Sequence, residues 1–180
     1  AEHWVGINCG IMDQFSSVMG LENKVIKIDC KTLDYEYHNA NFSEYSLILF
    51  DSNVKHSLFL SAYNTRREEC DEGIAIIKNY FPEINSFRDC DERHILNLKN
   101  RMSANVFKRC HYVVKEIKRV TLACEALDQG NIRRLGQLMF DTHKGLSAEY
   151  EVSCAELDYL VDIVKAENTV VGARLMGGGF

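Results

Sequence analysis

Hydrophobic and polar residues alternate in two early segments of the chain, and a third early segment is almost wholly apolar. KVIKIDC (residues 24–30) and LDYEYHN (33–39) alternate, whereas YSLILFDS (45–52) is a mostly apolar run. Alternation with a period of two is typical of a strand with one buried face, and a continuous apolar run is typical of a strand buried on both faces. The pattern therefore predicts three strands, of which the last is the most buried.

Two helices are predicted around these strands. MDQFSSVM (12–19) is expected to form a short helix that Gly20 ends in the left-handed conformation. A second helix is predicted from Ser57 to Tyr80, because apolar residues recur there at helical spacing. The following FPEINSFRDC interrupts the pattern.

The longest predicted helix runs from about Asn105 to Leu127 and is ended by Gly130. One of its faces is apolar and carries Val106, Cys110, Val113, Val114, Ile117, Val120 and Cys124. Two more helices are predicted in NIRRLGQLMFDTHKGLSAEY and CAELDYLVDIVKAEN, and a strand running into a glycine loop in TVVGARLMGGGF. This order of elements indicates an α+β protein with helices packed on a mostly antiparallel sheet.

Composition and charge exclude several classes of function. A net charge of −5 and a pI of about 5.7 argue against a general nucleic-acid binder. The basic residues between Lys99 and Arg119 fall on the long amphipathic helix, so we expect a solvated face there. No apolar run approaches the roughly 18 residues that cross a bilayer, and the first residues do not resemble a signal peptide. We therefore expect neither nucleic acid nor a membrane as a partner.

The cysteines and histidines do not have the spacing of a zinc site. The seven cysteines are Cys9, Cys30, Cys70, Cys90, Cys110, Cys124 and Cys154, and no pair is spaced as CxxC. The six histidines show no HxH or HExxH spacing. Isolated cysteines of this kind are expected to be reduced core residues of a cytoplasmic protein.

Asp13 is the first candidate for chemistry. It is the one acidic residue of NCGIMDQFSSVMG (8–20), at the start of the predicted short helix. Its carboxylate either caps the helix or is a functional group that contacts a ligand. At the other end, the glycines of MGGGF (176–180) let backbone amides approach an anion, although a flexible chain end has the same composition.

A second candidate lies on the helix after the apolar run. Tyr63, Arg66 and Arg67 occur there with few acids nearby until Glu68 and Glu69. The alternative to a binding role is an ordinary amphipathic helix with ion pairs, such as one between Arg66 and Glu69.

Four segments resemble the galactokinases, members of the GHMP family of small-molecule kinases. VGINCGIMDQFSSVMG (5–20) is similar to the segment with the catalytic aspartate, and FDSNVKHSLFLSAYNTRREECDEG (50–73) to the segment with the sugar-contacting tyrosine. EYEVSCAELDYLV (149–161) matches a further galactokinase stretch, and GARLMGGGF (172–180) looks like the opening of the third conserved motif. The resemblance covers nearly all of the 180 residues in the same order.

The resemblance implies a fragment of a GHMP kinase. The family's N-terminal galactose signature and its ATP loop are not in this chain, which corresponds to the middle and C-terminal part. Residues 1–45 would be the end of the N-terminal GHMP kinase domain, and residues 46–180 a truncated C-terminal domain. The isolated chain is expected to be inactive, because its partner in catalysis would be the missing N-terminal part of the same protein.

The activity that the resemblance implies is ATP-dependent phosphorylation of α-D-galactose at the anomeric hydroxyl, giving galactose 1-phosphate, with ATP and Mg²⁺ as cofactors. Asp13 falls on the family's catalytic aspartate, Gly10 on a backbone position that approaches galactose, and Tyr63 on the tyrosine that contacts the sugar. Glu2, in a stretch one residue shorter than in the family, is the candidate for the glutamate that contacts Mg²⁺. No nucleotide-binding residue is assigned in this chain.

Two other functions stay open at this point. One is a GHMP kinase for another sugar, N-acetylgalactosamine. The other is a galactokinase-like regulator that has lost catalysis and binds a protein partner in response to sugar. The motif CGIMDQF (9–15) favours galactose over N-acetylgalactosamine as the substrate, and the presence of Asp13 favours an enzyme over a regulator without catalysis.

Overall fold

The computed structural model describes residues 10–54 and 59–179. The described chain begins with a short helix, α1 (Met12–Met19), and a two-stranded antiparallel sheet, β1 (Lys24–Ile28) and β2 (Tyr35–Asn39). The strands pair in the register Lys24–Asn39, Val25–His38, Ile26–Tyr37, Lys27–Glu36 and Ile28–Tyr35. The two alternating segments therefore form strands, as their pattern predicts.

Side chains of β2 contact both the end of α1 and the end of the longest helix. The hydroxyl of Tyr37 in β2 donates to the backbone carbonyl of Met19, at the end of α1, over 2.6 Å. On the same strand, Nδ1 of His38 lies 2.9 Å from Oδ2 of Asp128. These contacts link the short helix, the sheet and the end of the longest helix.

The remainder of the described chain is helical. It contains α2 (Phe59–Tyr80), α3 (Glu92–Asn97), α4 (Ala104–Asp128), α5 (Ile132–Ala148) and α6 (Ala155–Lys165), with 3-10 turns at Phe87–Asp89 and Lys99–Arg101. Helix α4 packs against α2, α3 and α5 and is the centre of this layer. The sequence predicts four of these five helices. It misses α3, whose 6 residues are too few to show a helical period.

Glycines end two helices in different ways. Gly130, two residues beyond α4, confirms the predicted end of that helix and has φ +64°, in the left-handed region. Gly20 has φ −61° and ψ 136°, so the left-handed conformation predicted for it is wrong. A Cβ at Gly20 would lie 2.8 Å from the carbonyl oxygen of Ser16, so this position needs glycine because of close packing.

Two groups of buried apolar side chains hold the helices together. The first comprises Ile77, Ile84, Ile95, Leu98, Met102, Val106, Cys110 and Val114. The second comprises Tyr112, Leu146, Val152 and Leu175. Gly73 lets α2 approach α4 closely, since a Cβ there would lie 2.0 Å from Sγ of Cys110. On the predicted apolar face of α4, Ile117 and Val120 are 37% and 44% exposed, so only part of that face is covered.

Two predicted strands do not form in the described residues. In YSLILFDS, Leu47 and Leu49 are 77% and 78% exposed, and the segment has no regular secondary structure. A strand needs a neighbour for its backbone hydrogen bonds, and the sheet of the described chain ends with the β1–β2 pair. TVVGARLMGGGF is likewise irregular in its described part, and its Leu175 amide donates to the side chain of His143. The fold remains α+β.

No helix in the described ranges is both long and apolar enough to cross a bilayer. The cysteines at Cys30, Cys70, Cys90, Cys110, Cys124 and Cys154 have free thiols. Burial raises the pKa of Cys110 to about 12, so its thiol is an uncharged core group.

Candidate active site

Asp13 lies in the first turn of α1 with an exposed side chain. Ile11 occupies the position before the helix, and no side chain caps the helix there. Within residues 10–54 and 59–179 the Asp13 carboxylate has no hydrogen-bond or ion-pair partner. Its backbone carbonyl accepts bonds from the hydroxyls of Ser16 and Ser17. The interpretation of Asp13 as a helix cap is therefore wrong, and its carboxylate is accessible to a ligand.

The start of α1 favours a negative charge at this point. The partial positive charge of a helix N-terminus stabilises an acid in the first turn, typically by ~0.3–1 kcal/mol. Gly10, two residues before α1, is exposed, and a Cβ there would meet nothing within 4 Å. The backbone before Asp13 is thus open to a ligand. Glu2, the candidate metal ligand, lies outside the described residues.

A buried arginine joins two helices to the turn after α5. Arg109 of α4 is 1% exposed, and its Nε donates to Oε2 of Glu69 in α2 over 2.7 Å. Its Nη2 donates to Oε2 of Glu151 over 2.6 Å, and its Nη1 donates to the backbone carbonyl of Glu149. Burial lowers the pKa of Arg109, but the bonds to Glu69 and Glu151 raise it above its ordinary value. The guanidinium is therefore charged despite its burial.

A second arginine binds the same turn from α2. Arg66 donates to the backbone carbonyls of Tyr150 and Glu151 over 2.8 and 3.0 Å. Its Nη1 lies 3.3 Å from Oε2 of Glu69, which confirms the predicted ion pair. Glu151 has φ +55°, a strained conformation for a residue with a side chain, and these bonds hold it there. We call Arg66, Glu69, Arg109 and Glu151 the arginine cluster.

Tyr63 lies on α2, half-buried, close to Tyr150. Burial raises the pKa of Tyr150, and the neighbouring Cys70 and Tyr63 raise it further. The Tyr150 hydroxyl is 3.8 Å from Sγ of Cys70, and its ring centre is 5.0 Å from that of Tyr112. The arginine cluster holds the backbone of Tyr150, so it also fixes the surroundings of Tyr63.

The expectation of a solvated basic face is wrong for Arg109. This residue follows Val106 by three positions and precedes Val113 by four, so helical spacing places it on the apolar face of α4. A charged residue within an apolar stripe signals a buried ion pair. The neighbouring Lys108 is also paired, with its Nζ 2.8 Å from Oε1 of Glu151.

The glycine-rich segment at the end of the described chain takes two left-handed conformations, at Gly177 (φ +78°) and Gly179 (φ +79°). A Cβ at Gly179 would lie 2.2 Å from the carbonyl oxygen of Val152, whereas one at Gly177 would meet nothing within 4 Å. The segment is therefore anchored at Gly179 and open at Gly177.

The structure places the predicted site residues on two helices. Gly10 and Asp13 lie at the start of α1, and Tyr63 lies on α2. No group of three histidine, cysteine, aspartate or glutamate residues in the described chain could hold a metal ion.

Comparison with known proteins reveals relatives along the whole chain. No family model matches it. A galactokinase of Thermotoga maritima is 41% identical over 177 residues, which are 98% of this chain and 48% of that protein. The human galactokinase is 38% identical over 181 residues, covering 100% of this chain and 45% of that protein. The chain thus spans about half the length of these curated relatives.

A solved structure is similar over nearly the whole of this chain. The Lactococcus lactis galactokinase complexed with galactose superposes with a TM-score of 0.91 at 29% identity, over 99% of this chain and 46% of that chain. The fold expected from the resemblance is confirmed, including the small antiparallel sheet beside the helices.

Proposed function

Because the chain is homologous to the galactokinases of the GHMP family over 98% of its length, we propose that the protein phosphorylates α-D-galactose at the anomeric hydroxyl with ATP, forming galactose 1-phosphate and ADP. The identity of 41% to a galactokinase carries this proposal. The accessible carboxylate of Asp13 supports it. Residues 1–45 would end the N-terminal domain and residues 46–180 would belong to the C-terminal one. The free cysteines are compatible with action in the cytoplasm.

Asp13 would serve as the acceptor of the hydroxyl proton. The anomeric oxygen attacks the γ-phosphorus, the bond from that phosphorus to the β–γ bridging oxygen breaks, and ADP leaves. The proton of the hydroxyl passes to the Asp13 carboxylate. An ionised aspartate is a weak base for a hydroxyl, so proton transfer is late and accompanies phosphoryl transfer. The carboxylate also positions the hydroxyl by accepting its hydrogen bond.

ATP and Mg²⁺ would supply the phosphoryl group and the neutralisation of its charge. No group of three histidine, cysteine, aspartate or glutamate side chains among the described residues could enclose a metal ion, but Mg²⁺ at kinase sites is usually held by one or two carboxylates together with the substrate phosphates. Glu2 remains the proposed ligand within the chain. The groups that hold ATP would lie outside these residues, in the rest of the longer protein.

The full-length protein, supplied with ATP and galactose, is expected to release galactose 1-phosphate. The measurement is product formation with galactose and N-acetylgalactosamine in competition. Preferential phosphorylation of N-acetylgalactosamine would indicate a kinase for that sugar. A folded protein that binds galactose without forming product would indicate the regulator that has lost catalysis.

A Tyr63→Phe substitution is expected to raise the galactose KM by about three- to tenfold, the value of one hydrogen bond, with a smaller effect on kcat. Tyr63 would contact the sugar through its hydroxyl, and phenylalanine keeps the ring. Steady-state kinetics with varied galactose measure the effect. Tyr159→Phe is the control, since Tyr159 is 66% exposed on α6. An unchanged KM in Tyr63→Phe would show that the Tyr63 hydroxyl does not contact the sugar.

A further inference from the structure

A buried histidine of α5 joins that helix to the glycine-rich segment. His143 is 6% exposed, and its Nδ1 accepts the backbone N–H of Leu175 over 3.1 Å. Its Nε2 lies 3.2 Å from Oδ1 of Asp158 in α6. The imidazole is thus placed between the segment on one side and α6 on the other.

These contacts fix the protonation of the ring. A backbone N–H can only donate, so Nδ1 of His143 must hold a lone pair, and the ring proton sits on Nε2 facing Asp158. The carboxylate of Asp158 is itself fixed, because it accepts the hydroxyls of Ser147 and Ser153 over 2.7 and 2.6 Å. Burial lowers the pKa of His143, although Asp158 raises it in part, so the neutral ring is favoured.

Leu175 is the last buried residue before the glycines. Its side chain is 3% exposed, and the next residue, Met176, is 73% exposed. Gly177 and Gly179 then take left-handed conformations, and Gly179 lies against Val152, one residue before Ser153. The bond from Leu175 to His143 therefore sets the point at which the glycine segment leaves the core.

We infer that His143 is a positioning residue, which holds the glycine-rich segment Met176–Gly179 in place through the amide of Leu175, with its Nε2 3.2 Å from the Asp158 carboxylate. The role of the segment in the reaction rests on the proposed kinase function, whereas its attachment to His143 does not. The bond requires the unprotonated Nδ1. A proton at that atom removes the acceptor and breaks this attachment.

Three charged groups face His143 and set its titration. Asp158 and Asp162 of α6 favour the protonated ring, whereas Arg174, on the segment itself, opposes it. Burial outweighs the two acids, because the pKa lies below the ordinary value of 6.5. The bond from Leu175 to His143 is consequently present at neutral pH and is lost as the pH falls through the lowered pKa of His143.

Selective isotope labelling can follow the Leu175 amide in the full-length protein. Carbonyl-¹³C arginine combined with ¹⁵N leucine makes only Arg–Leu pairs visible, and the chain has two, Arg134–Leu135 and Arg174–Leu175. The Leu135 amide donates to the carbonyl of Asn131 within the first turn of α5, so it is an internal control for folding.

The expected result is faster hydrogen exchange at Leu175 in His143→Leu, by about three- to tenfold, with Leu135 unchanged. His143→Asn places an amide oxygen near Nδ1 and should keep the exchange slow. In the wild-type protein the Leu175 shift should also move between about pH 8 and about pH 4 as the ring titrates, and in His143→Asn it should not. Equal Leu175 exchange in His143→Leu and the wild-type protein would overturn the attachment.

Kinetics of the same variants test the positioning role in the reaction. His143→Leu should lower kcat for galactose phosphorylation, and His143→Asn should restore most of it. Faster exchange at Leu175 without a change in kcat would overturn that role but keep the attachment. A protein without any kinase activity would overturn the proposed function, and the exchange measurement would still decide the attachment.

Discussion

Asp13→Asn is expected to lower kcat for galactose phosphorylation by about a hundred- to ten-thousandfold, the usual contribution of a positioned proton acceptor. Asparagine keeps the shape of the side chain and its carbonyl oxygen, but it cannot take the hydroxyl proton. The KM for galactose should change little, because the amide can still accept a hydrogen bond from the sugar. Steady-state kinetics of the full-length protein measure both constants.

The same substitution should leave folding almost unchanged. The Asp13 side chain is exposed, does not cap α1, and has no partner in the described residues. The lost interaction with the helix N-terminus is worth only ~0.3–1 kcal/mol. Chemical denaturation should therefore give nearly the wild-type free energy of unfolding, which separates a catalytic defect from a folding defect.

Asp34→Asn is the matched control for Asp13→Asn. Asp34 is an exposed aspartate in the turn between β1 and β2, and its side chain makes no hydrogen bond to any described residue. The control should keep wild-type kcat. Near-normal turnover in Asp13→Asn would show that the proton leaves by another route, and Asp13 would lose its place as the base.

Helices α1, α2, α4, α5 and α6 could be predicted from the sequence because each one carries its own pattern of apolar residues and its own end signals. The apolar face of α4 and its end near Gly130 are local features, so the sequence predicts them. A strand differs, since its hydrogen bonds come from another segment. Leu47 and Leu49 lie in a run that reads as a buried strand but has no strand beside it in the described residues.

The site residues divide in the same way. The placement of Asp13 in the first turn of α1 follows from the sequence. The arginine cluster does not, because it joins Glu69 to Arg109 across 40 residues and Arg109 to Glu151 across 42. Neither separation leaves a periodic signal. Only the helical spacing of Arg109 from Val106 and Val113 indicates its burial, and the partners emerge from the tertiary structure.

Arg109→Met is expected to lower the free energy of unfolding by about 3–5 kcal/mol, the usual cost of removing one partner from a buried ion pair. Methionine fills the space of the side chain, but Glu69 and Glu151 each lose one of their two basic partners and the carbonyl of Glu149 loses the donor that Arg109 supplies. Denaturation of the full-length protein, followed by circular dichroism, measures the loss. Arg109→Lys should recover only part of it, because an ammonium cannot serve three acceptors in the geometry of a guanidinium fork.

Arg67→Met is the control on the neighbouring helix. Arg67 pairs with Asp71 along α2, but the two side chains are 59% and 64% exposed, so the loss should stay below about 1 kcal/mol. An equal loss of unfolding free energy in Arg67→Met and Arg109→Met would show that the buried ion pairs of Arg109 stabilise the fold no more than the exposed pair of Arg67.

The pH dependence separates the lost ion pair from lost packing in Arg109→Met. Hydrogen bonds from Lys108 and Arg109 lower the pKa of Glu151 from 4.5 to about 2. A depressed carboxyl pKa adds stability above the unfolded value, and this is lost as the pH falls towards the folded value. Removing Arg109 lets the pKa of Glu151 rise, so the wild-type protein loses more stability than the variant between these two values. The difference in free energy of unfolding between the wild-type protein and Arg109→Met should therefore become smaller as the pH falls through this range. A difference that does not change with pH would assign the loss of stability to packing alone.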